Sequence, residues 1–134
     1  MREIFFLFWV VPVVAFADVY KLELIETGQR EYYCTATMQL TNTSDELLTE
    51  ISGFFYAYAG ETQVGRSKGT WFMNVAPGET AVGVFETPSA PCGKIDRYDF
   101  VVGACRFGSE FADTALCAEK ITPVMPVQMA QPGS

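Results

Sequence analysis

Between Glu31 and Thr41 the chain reads EYYCTATMQLT. In it Tyr32, Cys34, Ala36, Met38 and Leu40 alternate with Tyr33, Thr35, Thr37, Gln39 and Thr41. Successive side chains of an extended chain point to opposite faces, so the segment reads as a half-buried β-strand with one apolar and one hydroxyl-rich face. The chain beyond Asp18 repeats this grammar. Turn signals at Gly28-Gln29, Asn42-Thr43-Ser44-Asp45, Ala59-Gly60-Glu61, Ala76-Pro77-Gly78-Glu79, Pro88 to Gly93 and Phe107-Gly108-Ser109 separate short runs rich in Val, Ile, Thr, Tyr and Phe. Strands are predicted over 19–26, 31–41, 48–59, 62–74, 80–87, 95–106 and 116–122. Seven short strands at this spacing predict an all-β fold, a sandwich of two antiparallel sheets.

Two segments depart from the strand pattern. SEFADTALCAEK, residues 109–120, sets Phe111, Ala115 and Ala118 at helical spacing and reads equally well as a short helix or as a loop with an edge strand. TPVMPVQMAQPGS, residues 122–134, has three prolines and no charge, and is expected to be a tail without stable structure from residue 123 onward. The domain is then 18–122.

The opening MREIFFLFWVVPVVAFA has a charged start, an apolar run from Ile4 to Val14 and Ala15-Phe16-Ala17 ahead of Asp18. It reads as a secretory signal peptide, residues 1–17, with an A-x-A cleavage site. A membrane span needs about 20 apolar residues, and Asp18, Lys21 and Glu23 arrive too soon. The product is expected to be secreted or periplasmic, with no membrane insertion after cleavage. The cysteines Cys34, Cys92, Cys105 and Cys117 all follow that leader, and an even number in an exported chain implies disulfides. Three pairings are open. The preferred one is Cys34–Cys92 with Cys105–Cys117, because Cys105 and Cys117 flank a short turn-containing connection. A zinc site would want C-x-x-C spacing or histidine, and neither occurs.

The net charge of −7 comes without a basic cluster, which argues against nucleic acid and anionic membranes as partners. There is no histidine at all, which removes Ser-His-Asp and Cys-His catalysis and imidazole-held metals. Asp96, Asp99 or Glu86 are the nominees for paired-carboxylate chemistry, although acidic residues interspersed on strands are ordinarily solvated. Asp45-Glu46, or Glu110 with Asp113, offer oxygen ligands for calcium but lack an EF-hand loop, and capping explains them more simply. Asn42-Thr43-Ser44 is formally a glycosylation acceptor and equally a turn. GRSKGT carries Arg66 and Lys68 without the phosphate-cradling spacing, as a guarded edge strand would. The expectation is a protein that is not an enzyme and needs no cofactor or metal.

The run LTNTSDELLTEISGFFYAYAGETQVGRSKGTWFMNVAPGETAVGVF, residues 40–85, resembles the small bacterial secreted sandwiches of the FxLYD and fibronectin-like kind. The resemblance is carried by the Asn42-to-Ser44 turn, Phe55 and Tyr58 on an aromatic strand, Gly60-Glu61, Val64-Gly65 and Pro77-Gly78-Glu79. It implies an immunoglobulin-like fold with an accessory role and no catalytic residues. Within that run, ISGFFYAYAG puts Ile51, Gly53, Phe55, Ala57 and Ala59 on one face and Ser52, Phe54, Tyr56 and Tyr58 on the other. With both faces apolar, the strand is either covered on both sides or displays aromatics to a ligand. Tyr58, Tyr56 and Trp71 are the candidate binding residues, with Phe54 and Tyr56 expected to be structural and Tyr58 at the rim. The leading expectation is a module binding another envelope or extracellular protein. A carbohydrate-binding module using exposed aromatics is the alternative.

Overall fold

The computed structural model describes residues 19–88 and 90–130. The leader expected over 1–17 lies outside the described residues, as do 131–134. The elements in order are β1 (Tyr20–Arg30), β2 (Tyr33–Asn42), β3 (Leu48–Ala59), β4 (Thr62–Arg66), β5 (Thr70–Val75), β6 (Thr80–Pro88), a 3-10 turn (Cys92–Lys94), β7 (Arg97–Phe107), β8 (Glu110–Phe111), α1 (Thr114–Glu119), β9 (Ile121–Pro123) and β10 (Val127–Met129). They form an all-β sandwich. One sheet has the order β6-β2-β1-β9; the other runs β10-β7-β3-β4, with β5 also on β3 and β8 on β7. Pairing is antiparallel except for β1 with β9 and β7 with β10.

The period-2 pattern of β2 decides which face it buries. Cys34, Ala36, Met38 and Leu40 are buried and the residues between them are not. Tyr32, expected on that apolar face, instead occupies the turn before β2 and is 79% exposed. The opposing sheet supplies Ile51, Phe55 and Ala57 from β3, Phe72 from β5 and Phe100 from β7. Phe55 sits at the centre, with its ring 4.6 Å from that of Phe100 and 5.1 Å from Phe85 of β6. The stacked contact with Phe85 joins the two sheets, while the tilted one with Phe100 lies within the larger sheet.

Three expectations about elements need correcting. The single strand over 62–74 is two, because both lie end to end beside the long β3: β4 on its second half and β5 on its first. Ser67 bridges the gap, its N–H donating to the Phe55 carbonyl at 2.8 Å and its hydroxyl accepting from the Phe55 N–H at 2.9 Å. The strand over 116–122 is α1 followed by β9. Asp113 caps that helix by accepting from the Ala115 N–H at 2.7 Å, the side-chain capping that competes with extended structure.

The tail expected from residue 123 is likewise corrected. Val124 N–H donates to the Leu22 carbonyl (2.9 Å), Tyr98 N–H to the Pro126 carbonyl (2.8 Å) and Ala130 N–H to the Phe100 carbonyl (3.0 Å). The chain thereby passes from the edge of one sheet to the edge of the other, and Val127 is completely buried. Proline cannot donate to a ladder, but at an edge no donor is required of it. The prolines therefore limit these strands to three residues each without preventing them.

Cys34 is bonded to Cys92 and Cys105 to Cys117, the preferred pairing. The first bridge ties β2 to the 3-10 turn; the second staples α1 to β7. In the chain-entropy picture such loops contribute roughly 4 and about 3 kcal/mol. Two intramolecular disulfides point to an oxidising, extracellular or periplasmic environment. Among the described residues no helix is long and apolar enough to cross a membrane.

Candidate functional site: the outer face of the larger sheet

β3 is central in its sheet, flanked by β7 on one side and by β4 and β5 on the other. Its inner face packs into the core, while Phe54, Tyr56 and Tyr58 on the outer face are only half-buried. Register assigns their neighbours. Tyr56 lies opposite Arg66 of β4 and Asp99 of β7, Phe54 opposite Val101, Tyr58 opposite Arg97, and Ser52 opposite Trp71 of β5. Alternation carries all of these to one surface.

Guanidinium groups lie over these rings. Arg66 is 4.3 Å from the Phe54 centroid and 5.6 Å from that of Tyr56; Arg97 is 4.1 Å from that of Tyr58. A planar cation over a ring face is held by the ring's quadrupole and shields that face. Arg97 is fixed from two further directions, donating from Nε to Asp99 Oδ1 at 2.9 Å and from Nη1 to the Gly60 carbonyl at 2.7 Å. The Asp99 hydrogen bond is the main reason its pKa is raised above the ordinary arginine value. Asp96 completes this clamp by accepting from the Gly60 N–H at 2.8 Å. Gly60 has φ +63°, a conformation that favours glycine. Arg66 has no carboxylate partner among the described residues, so an otherwise acidic chain presents an unpaired cation here.

Two depressions open on this surface. One of about 240 Å³ lies between Phe54 and Trp71, floored by Ser52, Gly53, Gly103 and Ala104. Its floor is low because the β3–β7 register shifts between Ser52 and Gly53, where a Cβ on Gly53 would collide with the Val101 carbonyl. The other, about 350 Å³, is lined by Tyr56, Tyr58, Gln63, Asp99, Val101 and Ala130. The candidates are thus divided: Tyr56 and Tyr58 share one depression, and Trp71, 61% exposed, walls the other with Phe54. Phe54 and Tyr56 are not core residues as expected; they stand half-exposed beside Tyr58. The reason is that the second sheet packs on the face opposite to theirs. Arg66, Arg97 and Val101 were not singled out for this surface, although the alternation of Arg97, Asp99 and Val101 in RYDFVV offered the signal.

The remaining nominees are dispersed. Glu86 belongs to the other sheet, while Asp96 and Asp99 serve the Gly60 and Arg97 contacts. Asp113 caps α1, and among the described residues no group of three or more His, Cys, Asp or Glu is placed to hold a metal ion. Asn42 is fully buried. Its Nδ2 donates to the carbonyls of Glu46 and Val75, both at 2.8 Å, and its Oδ1 accepts from the Ser44 N–H and hydroxyl at 2.9 and 2.6 Å. Both amide protons are engaged inside the protein, so a glycan on Asn42 is incompatible with this packing.

Comparison with known proteins finds no matching family model, no similar curated protein and no similar solved structure.

Proposed function

We propose that the chain is a non-catalytic, disulfide-braced module that works outside the cytoplasm and binds another protein through the outer face of the larger sheet. The observation that carries this reading is the composition of that face: Phe54, Tyr56 and Tyr58 held flush under Arg66 and Arg97, bordered by exposed Trp71 and two shallow depressions. Aromatic and arginine side chains are the ones that dominate protein–protein hot spots, since they combine large contact area with few mobile torsions. Sugar recognition uses open ring faces as platforms, and guanidinium groups lie over three of these rings. The carbohydrate reading keeps one supporting observation, the exposed ring of Trp71.

The test places a photo-crosslinking amino acid at Trp71, and at Thr37 on the opposite sheet as control, in the cells that make the protein. A discrete adduct formed from position 71 but not 37, and lost on Arg66→Glu, is expected. An absence of protein adducts, together with glycan binding abolished by Trp71→Ala, would replace this reading with the carbohydrate one.

A further inference from the structure

The strands at the sheet edges differ in a way that points to self-association; β8 has two residues, and β5, paired only with β3, has six with a positive φ at Asn74. β9 and β10 have three residues each, and β4 has five, with a register shift against β3 and Arg66 at its end. Short length, irregularity and charge are the usual means of blunting an edge. β6 is neither short nor irregular, and its one charged residue is Glu86. It runs nine residues, Thr80–Pro88, in unbroken register against β2, with no lysine or arginine and its proline only at the last position. Val82 and Val84 on its outer face are 58% and 63% exposed.

The phase of its free backbone groups follows from one hydrogen bond. Asn42 N–H donates to the Glu79 carbonyl at 2.9 Å, so pairs Leu40–Ala81, Met38–Gly83 and Ala36–Phe85 are the bonded ones of the β2–β6 ladder. Thr80, Val82, Val84 and Glu86 therefore turn their N–H and C=O groups to the unpaired side. Beside them the loop at Lys68 and Gly69 stands off, leaving an open depression of about 290 Å³ along Val84, Phe85 and Glu86.

We propose that this edge pairs antiparallel with β6 of a second copy of the chain, about a two-fold axis at Gly83, joining two four-stranded sheets into one of eight strands. A second copy fits because the edge, ETAVGVFET, residues 79–87, is self-complementary about Gly83, with Val82 and Val84 as its identical pair. In that register Val82 faces Val84 of the second copy, Thr80 faces Glu86, Ala81 faces Phe85, and Glu79 faces Thr87. All four outward-turned residues meet outward-turned residues, both valine pairs are covered, and no glutamate faces a glutamate. Moving the axis to Val84 would set Val82 against Glu86 and Thr80 against Pro88; moving it to Val82 would set Val84 against Thr80 and Glu86 against Gly78. Two-fold pairing also consumes the edge on both copies, so association stops at the dimer.

Sedimentation velocity on the disulfide-bonded protein over a concentration series tests this. A monomer–dimer equilibrium is expected. Val82→Lys with Val84→Lys, both on the exposed face, sets lysine against lysine and weakens the dimer by roughly tenfold or more. Thr80→Lys sets a cation opposite Glu86 of the second copy twice over and tightens the dimer by roughly fivefold, which no other register produces. A protein that stays monomeric into the millimolar range overturns the proposal and leaves the edge for a strand of a different protein. So does a dimer indifferent to the double lysine substitution, or one weakened by Thr80→Lys.

Discussion

Replacing Asn42 with alanine removes a single side chain that joins three segments. Its amide closes the 43–47 turn onto the end of β2 and reaches across to the last residue of β5. In the variant the Val75 carbonyl loses a buried donor, the Ser44 N–H loses its acceptor in the partly exposed turn, and the Glu46 carbonyl keeps only the Ser44 hydroxyl at 3.0 Å. A buried carbonyl left without its donor costs about 1–3 kcal/mol and each part-buried hydrogen bond about 0.5–1.5 kcal/mol, so the loss is about 3 kcal/mol before the void is counted. Ser44→Ala takes away one hydroxyl that Asn42 and Glu46 also satisfy by other means, and should cost about 1 kcal/mol. Urea denaturation followed by far-ultraviolet circular dichroism, disulfides intact, reads both values if the dependence on urea is the same for all three proteins. An Asn42→Ala protein within about 1 kcal/mol of the parent would refute the reasoning, because the buried amide would then not be satisfying those groups.

Deleting everything after Pro123 uncovers Tyr98, Phe100 and the site of Val127, and is expected to lower the melting temperature by several degrees; an unchanged melt would show that β10 contributes nothing. Tyr58→Ala, half-exposed, is expected to cost about 1 kcal/mol, against about 3 kcal/mol or more for Phe55→Ala in the core, and equal losses in denaturation would place Tyr58 in the interior. Burial raises the pKa of Tyr98 and Tyr20. Raised folded values mean that their share of stability is complete below the unfolded phenol pKa of about 10 and is lost as pH rises through the folded values. An ultraviolet titration should accordingly show two phenols ionising late and together with unfolding; all tyrosines titrating as one ordinary class in the folded protein would contradict it. Non-reducing peptide mapping should recover Cys34 with Cys92 and Cys105 with Cys117, and a Cys34–Cys105 peptide would reject that topology.

Much of the sandwich was legible in the chain because its information is local. Alternation in β2 and β3 assigns each residue to a face, and Asn42, Gly60 and Pro77-Gly78 end their strands by side-chain capping, positive φ and fixed proline geometry. Even the disulfide pairing could be favoured from spacing. Which of β3's two apolar faces would be covered was not local, since both read alike and only the docking of β2 and Phe85 on the Phe55 side leaves Tyr56 and Tyr58 outside. The order of β4 and β5 along β3 likewise depends on the length of β3, to which a single long strand would have been an equally good partner by pattern. Proline made the C-terminal segment look structureless because it removes donors, but an edge position asks for few, and the vacancies beside β1 and β7 exist only once the two sheets have formed. The chain by itself determined that it would make strands and where most would turn, and it favoured one of three cysteine pairings. Tertiary packing decided which face stays open, because burying a face depends on the surface that arrives to cover it and not on the strand that carries it.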